Sequence, residues 1–153
     1  MLENDQKVIL VTSTVSGEGK SFISSNLAIS LSLLGKRVII VGLDIRKPGL
    51  NKIFNIPRKE QGITQYLSNP EKNLMDFVQP SDVSKNLYIL PGGIVPPNPT
   101  ELLARDGLDK AIETLKKNFD YVILDTAPAG MVTDTLLVGR VAAVSYTHLR
   151  AHE

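Results

Sequence analysis

The chain contains no cysteine and no tryptophan, and aromatic residues make up only 5% of its 153 positions. Without thiols it can form neither disulfides nor a thiolate metal centre, a composition compatible with a reducing compartment. Neither sign of charge is in excess. Lys and Arg number 17 against 16 Asp and Glu, so no basic footprint marks a nucleic-acid or anionic-membrane binder. Long hydrophobic runs are missing too. The polar opening Met1–Lys7 leads into a short apolar stretch, which argues against a signal peptide and a membrane span and for a soluble, cytoplasmic domain. What remains is 42% hydrophobic residues, enough for one domain with a real core.

Those residues are arranged as strands alternating with helices. Strands are expected at Lys7–Thr12, Arg37–Val41, Asn86–Leu90 and Tyr121–Leu124. A helix is expected from about Ser21 to Leu34, with Ile23, Leu27, Leu31 and Leu34 on one face and Gly35 as its stop. Short helical pieces follow near Leu50–Phe54 and Ile63–Leu67, and Pro91-Gly92-Gly93 ends the third strand. Pro96-Pro97-Asn98-Pro99 reads as rigid and extended, and Thr100 as the cap of a helix that runs to about Asn118 with a break at Asp106-Gly107. The alternation predicts an α/β fold, a three-layer sandwich with a mostly parallel sheet flanked by helices. Val138–Val144 reads as the start of a fifth strand. Residues 145–153 carry both histidines but show neither strand period nor caps, and a His148/His152 metal pair would need a stable helix and a third ligand. The expected division is therefore an incomplete core at 1–144, its later strands missing, and a non-native tail at 145–153 that looks like translated adapter sequence.

Three loops that follow strand ends carry the chemistry, at the edge where open α/β sheets bind ligands. The first is Ser16-Gly17-Glu18-Gly19-Lys20-Ser21-Phe22, between an apolar strand and a helix. Its glycines let backbone N–H groups converge on phosphate oxygens, and the helix directs its positive end to the same point. Lys20 suits the β- and γ-phosphates, and Ser21 suits Mg²⁺. The pattern G-x-x-x-x-G-K-[ST] is met except at its first glycine, where Thr14 stands. The second loop holds Asp44, Arg46 and Lys47. Asp44 can orient water, take a proton or join the Mg²⁺ shell, and Arg46 can meet phosphate; a solvated loop pair is the plainer alternative. The third ends the Tyr121–Leu124 strand at Asp125, a carboxylate suited to Mg²⁺, the plainer alternative being a helix N-cap or an Asx-turn at Asp125-Thr126. The cofactors expected are ATP and Mg²⁺.

Together the three loops resemble the Walker A, A′ and B motifs of the bacterial tyrosine kinases that control capsule and exopolysaccharide synthesis. Gly62-Ile63-Thr64, Asn86 to Gly93 and Pro96-Pro97-Asn98-Pro99-Thr100-Glu101-Leu102-Leu103 are similar to that family's connecting segments. The signature lysine of the partition and division-site ATPases is replaced by Val15. The resemblance implies a P-loop NTPase-like fold and ATP-dependent transfer of phosphate to tyrosine, with Lys20, Asp44 and Arg46 catalytic, and Ser21, Asp44 and Asp125 around the metal. It also implies a membrane adaptor as activator and a homo-oligomeric parent at the cytoplasmic face of the inner membrane. Gly42 stands where that family has the first aspartate of Asp-x-Asp. No tyrosine cluster is present, since Tyr66, Tyr88, Tyr121 and Tyr146 are scattered. The alternative is a partition-type ATPase switch that hydrolyses ATP without phosphorylating protein.

Overall fold

The computed structural model describes residues 8–11, 19–45, 48–98, 101–102, 106–126 and 144–146. Strand β1 (Val8–Val11) precedes helix α1 (Gly19–Leu33), β2 (Val38–Gly42), and the short helices α2 (Gly49–Ile53) and α3 (Ile63–Ser68). A 3₁₀ turn (Leu74–Phe77), β3 (Gln79–Pro80), β4 (Leu87–Leu90), α4 (Asp106–Asn118), β5 (Tyr121–Asp125) and β6 (Val144–Tyr146) follow. The sheet order is β3-β4-β2-β5-β1-β6, and every pairing is parallel except the antiparallel edge between β3 and β4. Pro80 suits that edge because an edge residue can do without a ladder N–H.

Register decides where the loops meet. Asp125 is opposite Val11 on one side and opposite Gly42 on the other. Three strand exits therefore form one row at the C-terminal edge of the sheet, and whatever follows each strand is delivered to a common place.

The inner strands read as continuous apolar runs because both faces are covered. α1 carries the chain from β1 to β2 and α4 carries it from β4 to β5, in opposite directions across the sheet. Right-handed crossovers then put the two helices on opposite faces. Accordingly, Ile39, Val41, Val122 and Leu124 pack with Leu108, Ile112 and Leu115 of α4. Val38, Ile40 and Ile123 pack with Ala28 of α1 and Leu50 of α2.

α1 ends as its sequence predicts. Gly35 has φ +89°, with Gly35 N–H donating to the Ser32 carbonyl (3.1 Å) and Lys36 N–H to that of Leu31 (3.3 Å), the paired bonds of a Schellman ending. Its packing face differs from expectation. The buried residues are Lys20, Ser21, Ser24, Ser25, Ala28 and Ser32, while Ile23, Leu27 and Leu31 are only half-buried and Leu34 is exposed. The physical reason is approach distance. Small side chains let the helix lie close enough for its first turn to reach Asp125, and the leucines flank that contact. Ser24 and Ser25 satisfy themselves by donating to the carbonyls of Lys20 and Ser21 one turn back.

β1, β2, α2, α3, β4 and β5 fall within a residue or two of their predicted bounds. Two expectations are corrected. α4 begins at Asp106 and runs through Gly107, where a break was expected. Ser145 and Tyr146, assigned to the tail, pair in β6 with Leu10 and Val11 of β1 because β1 offers them an open edge. Lys7, Thr12, Pro99 and Thr100 lie outside the described residues, as do 147–153 with both histidines. Among the described residues no helix is long and apolar enough to cross a membrane.

Candidate functional site

The row of strand exits brings α1 and β5 together. Lys20 and Ser21 occupy the first turn of α1, and Asp125 is the last residue of β5. Lys20 Nζ donates to Asp125 Oδ1 at 2.6 Å, and Ser21 Oγ donates to Oδ2 at 2.8 Å. Ser24 Oγ is 3.0 Å from Oδ1. The Lys20 and Asp125 side chains are each 1% exposed. A carboxylate so deeply buried is costly unless cations and donors meet it, and here one ammonium and hydroxyls do.

Asp44 is attached to the same aspartate through the backbone. The Asp125 carbonyl accepts from Leu43 N–H (2.9 Å) and Asp44 N–H (3.1 Å), so the turn after β2 hangs from the end of β5. This sets Asp44 Oδ2 4.0 Å from Lys20 Nζ. Thr126 fixes the other side, with its N–H and its hydroxyl both donating to the Val11 carbonyl (3.1 and 3.0 Å). One lysine thus lies between two carboxylates, and each is tied to the sheet by backbone bonds.

Glycines keep the space clear. A Cβ on Gly49 would collide with Ser21 Oγ and lie 2.8 Å from Ser21 Cβ, so the start of α2 can cross α1 only without a side chain. Gly42 and Gly92 face each other in the same way across the β2 and β4 exits. A Cβ on Gly92 would sit 2.9 Å from the Gly42 carbonyl oxygen, and one on Gly42 would sit 3.1 Å from Gly92 N. The Gly92 loop is held from below, where Ile63 N–H and Thr64 N–H donate to the carbonyls of Pro91 (2.9 Å) and Gly92 (3.0 Å).

The donor set suits a hard divalent cation. Ser21 Oγ and the carboxylates of Asp125 and Asp44 are oxygen ligands. Among the described residues no group of three or more His, Cys, Asp or Glu is placed so that it could hold a metal ion by itself. Mg²⁺ fits such a site, since it is commonly held by one or two carboxylates and completes its octahedron with water and phosphate oxygens.

Of the residues singled out from sequence, Lys20, Ser21, Asp44 and Asp125 come together. Gly19 opens α1. Phe22 is 59% exposed and is not among the side chains that meet Asp125. Ser16, Gly17, Glu18, Arg46 and Lys47 lie outside the described residues. Sequence reading missed Ser24, Gly49 and Thr126. Ser24 was open to detection, because four residues beyond Lys20 is the same helix face. Gly49 was not, since its role depends on how two helices cross.

The family described as AAA domain matches residues 6–140. The tyrosine-protein kinase CpsD of Streptococcus agalactiae is 37% identical over 134 residues, 88% of this chain and 58% of that protein. The chain therefore spans little more than half the length of this curated relative. Among solved structures, the kinase domain of the Escherichia coli tyrosine kinase ETK superposes with a TM-score of 0.86 at 29% identity, covering 94% of this chain and 55% of that one. The septum site-determining protein MinD of Pyrococcus horikoshii, solved as its Mg-ADP complex, superposes at 0.77 with 22% identity over 93% and 57% of the two chains, a likeness of fold. The matched span takes in every described element from β1 to β5, and the chain belongs to the AAA domain family, with bacterial tyrosine-protein kinases among its relatives.

Proposed function

We propose that this chain is the Mg-ATP-binding catalytic core of a bacterial protein-tyrosine kinase that regulates capsule or exopolysaccharide synthesis. The observation that carries this reading is the convergence of Lys20 and Ser21 on Asp125, with Asp44 4.0 Å from the same ammonium, where three parallel strands end. Lys20 is the charge that turns to the β- and γ-phosphates, and the glycine-rich run Gly17–Ser21 is suited by its sequence to donate backbone amides to them. Ser21, with Asp125 or Asp44, would hold Mg²⁺. When bound, the cation neutralises charge on the phosphates and aligns them.

Transfer is in line. The phenolic oxygen of an acceptor tyrosine bonds to the γ-phosphorus as the bond to the β–γ bridging oxygen breaks. ADP departs, and the phenolic proton goes to the Asp44 carboxylate. Arg46 is a further cation in the same sequence loop as Asp44 and is suited by its charge to meet phosphate. In the longer protein we place this domain at the cytoplasmic face of the membrane, assembled with copies of itself and activated by a membrane adaptor.

Gly42 favours one second reading, an ATPase switch that hydrolyses ATP without phosphorylating protein, because the carboxylate next to Asp44 in the resembling kinases is absent here. The two readings separate in one experiment on the longer protein that carries this domain. Incubated with γ-³²P-ATP and Mg²⁺, it should yield labelled phosphotyrosine, and Lys20→Met should abolish the label. Phosphate release without phosphotyrosine selects the switch, and label that persists in Lys20→Met removes Lys20 from the mechanism.

A further inference from the structure

Ser24 is completely buried, one helical turn beyond Lys20. Its Oγ lies 2.9 Å from the Lys20 carbonyl oxygen and 3.0 Å from Asp125 Oδ1, the same oxygen that holds Lys20 Nζ at 2.6 Å. A serine hydroxyl has one proton, and neither the carbonyl nor the carboxylate oxygen can donate. The proton therefore serves one of two acceptors at a time. While the ammonium sits on Oδ1 that oxygen is satisfied, and the hydroxyl is free to bond the helix carbonyl.

The alternative acceptor gains importance once Lys20 moves. The inference rests on the reading of Lys20 as a phosphate-binding lysine, because reaching a nucleotide takes its ammonium off Asp125. Ser21 still donates to Oδ2, but Oδ1 is then a buried carboxylate oxygen that has lost its cation. Reorienting the Ser24 hydroxyl supplies a donor without moving any heavy atom. We propose that Ser24 is a positioning residue that takes over Asp125 Oδ1 when Lys20 turns to the nucleotide, so that the carboxylate keeps its orientation while the lysine changes partner.

The consequence is a state-dependent effect. Ser24→Ala removes nothing that Asp125 needs while Lys20 is bound to it, but leaves Oδ1 unsatisfied once Lys20 has left. A buried acceptor stripped of its donor weakens the state that contains it by about tenfold. When Mg²⁺ is present its charge compensates the same carboxylate, and the penalty falls to roughly two- to threefold.

The test is equilibrium binding of the fluorescent N-methylanthraniloyl derivative of ATP to the wild-type chain and to Ser24→Ala, Ser24→Thr and Ser24→Cys. Each is measured once with EDTA and once with Mg²⁺, beside thermal melts of the nucleotide-free proteins. The expected result is a roughly tenfold weaker Ser24→Ala in EDTA, with the gap narrowing in Mg²⁺ and the free protein melting within a few degrees of wild type. Ser24→Thr keeps the hydroxyl and is expected to bind like wild type. Ser24→Cys, a weaker donor of similar size, should fall between, and decides the question if the threonine methyl does not fit. Equal binding by wild type and Ser24→Ala in EDTA overturns the inference, as does a loss that is the same with and without Mg²⁺ or that follows the melting temperature. If wild type binds the probe in neither buffer, the nucleotide reading itself fails and the inference falls with it.

Discussion

The Lys20–Asp125 pair gives a prediction that can be worked through without any ligand. Its members are 2.6 Å apart and each is 1% exposed, so the contact has little access to solvent or salt. Replacing Lys20 by Met leaves the Asp125 carboxylate buried with only the Ser21 and Ser24 hydroxyls as side-chain donors. Stripping one partner from a buried pair costs about 3–5 kcal/mol. The remaining hydroxyls set the expectation at the lower end, about 3 kcal/mol, a substantial part of the ~5–15 kcal/mol that holds a domain together. For a chain of this length that is a fall in melting temperature of roughly 6–12 °C. Asp125→Asn leaves the ammonium with Asp44, 4.0 Å away, and is expected to cost about 2 kcal/mol. In the double variant neither charge is stranded, and its loss should fall short of the summed single losses by about 2 kcal/mol or more. The assay is urea unfolding of all four proteins without nucleotide, followed by circular dichroism, at low and at 0.5 M salt. Additivity within about 0.5 kcal/mol, or a coupling that disappears at high salt, would refute the reasoning.

Other perturbations bear on the glycines and on the far edge of the sheet. Gly49→Ala drives a methyl into Ser21 and should cost about 1–3 kcal/mol in denaturant unfolding, together with a loss of Mg²⁺-dependent nucleotide affinity, although residue 49 offers no ligand. Retained affinity would show that Ser21 has room to spare. Gly42→Asp brings its Cβ to 3.1 Å from Gly92 N, a contact relieved by a few tenths of an ångström, so a stability loss of about 1 kcal/mol is expected. In the longer protein the same substitution should raise the rate of phosphotyrosine formation, and an unchanged rate would leave Asp44 as a sufficient base. Arg37 lies with its guanidinium carbon 5.2 Å from the ring centroids of both Tyr88 and Phe119, and its Nε donates to the Asn118 carbonyl at 3.3 Å. Arg37→Ala should lower stability by about 1 kcal/mol in thermal melts while leaving nucleotide binding unchanged, since it lies at the opposite end of β2 from the site.

Much of this was legible in the sequence because the signals were local. The apolar runs that became β1, β2 and β5 needed only continuity to read as strands of a covered parallel sheet, and Gly35 ended α1 where a glycine with positive φ was required. The aspartate at the exit of an apolar run, Asp125, stood out because burial of a carboxylate demands a partner. What sequence could not supply was the outcome of packing. Leucine periodicity found the flank of the packed face of α1, where Leu27 and Leu31 meet the core, but not its centre, which is a stripe of serines and Ala28 that hydrophobicity does not single out. The spacing of Ser24 from Lys20 does show that the two share a helix face, but no spacing links Ser24 to Asp125, 101 residues away. The two-residue strand at Gln79–Pro80 carries no periodicity at all and exists only because β4 offers it an edge.

Isothermal titration of this chain with Mg-ATP, and of its Lys20→Met variant, tests most directly whether Lys20, Ser21 and Asp125 form one site for a magnesium-bound nucleotide. Saturable binding at one nucleotide per chain is expected, weakened by roughly tenfold or more when the lysine is removed, the factor for losing a hydrogen bond between charged groups. Absence of binding to the unaltered chain, or equal affinity in the two proteins, would contradict it.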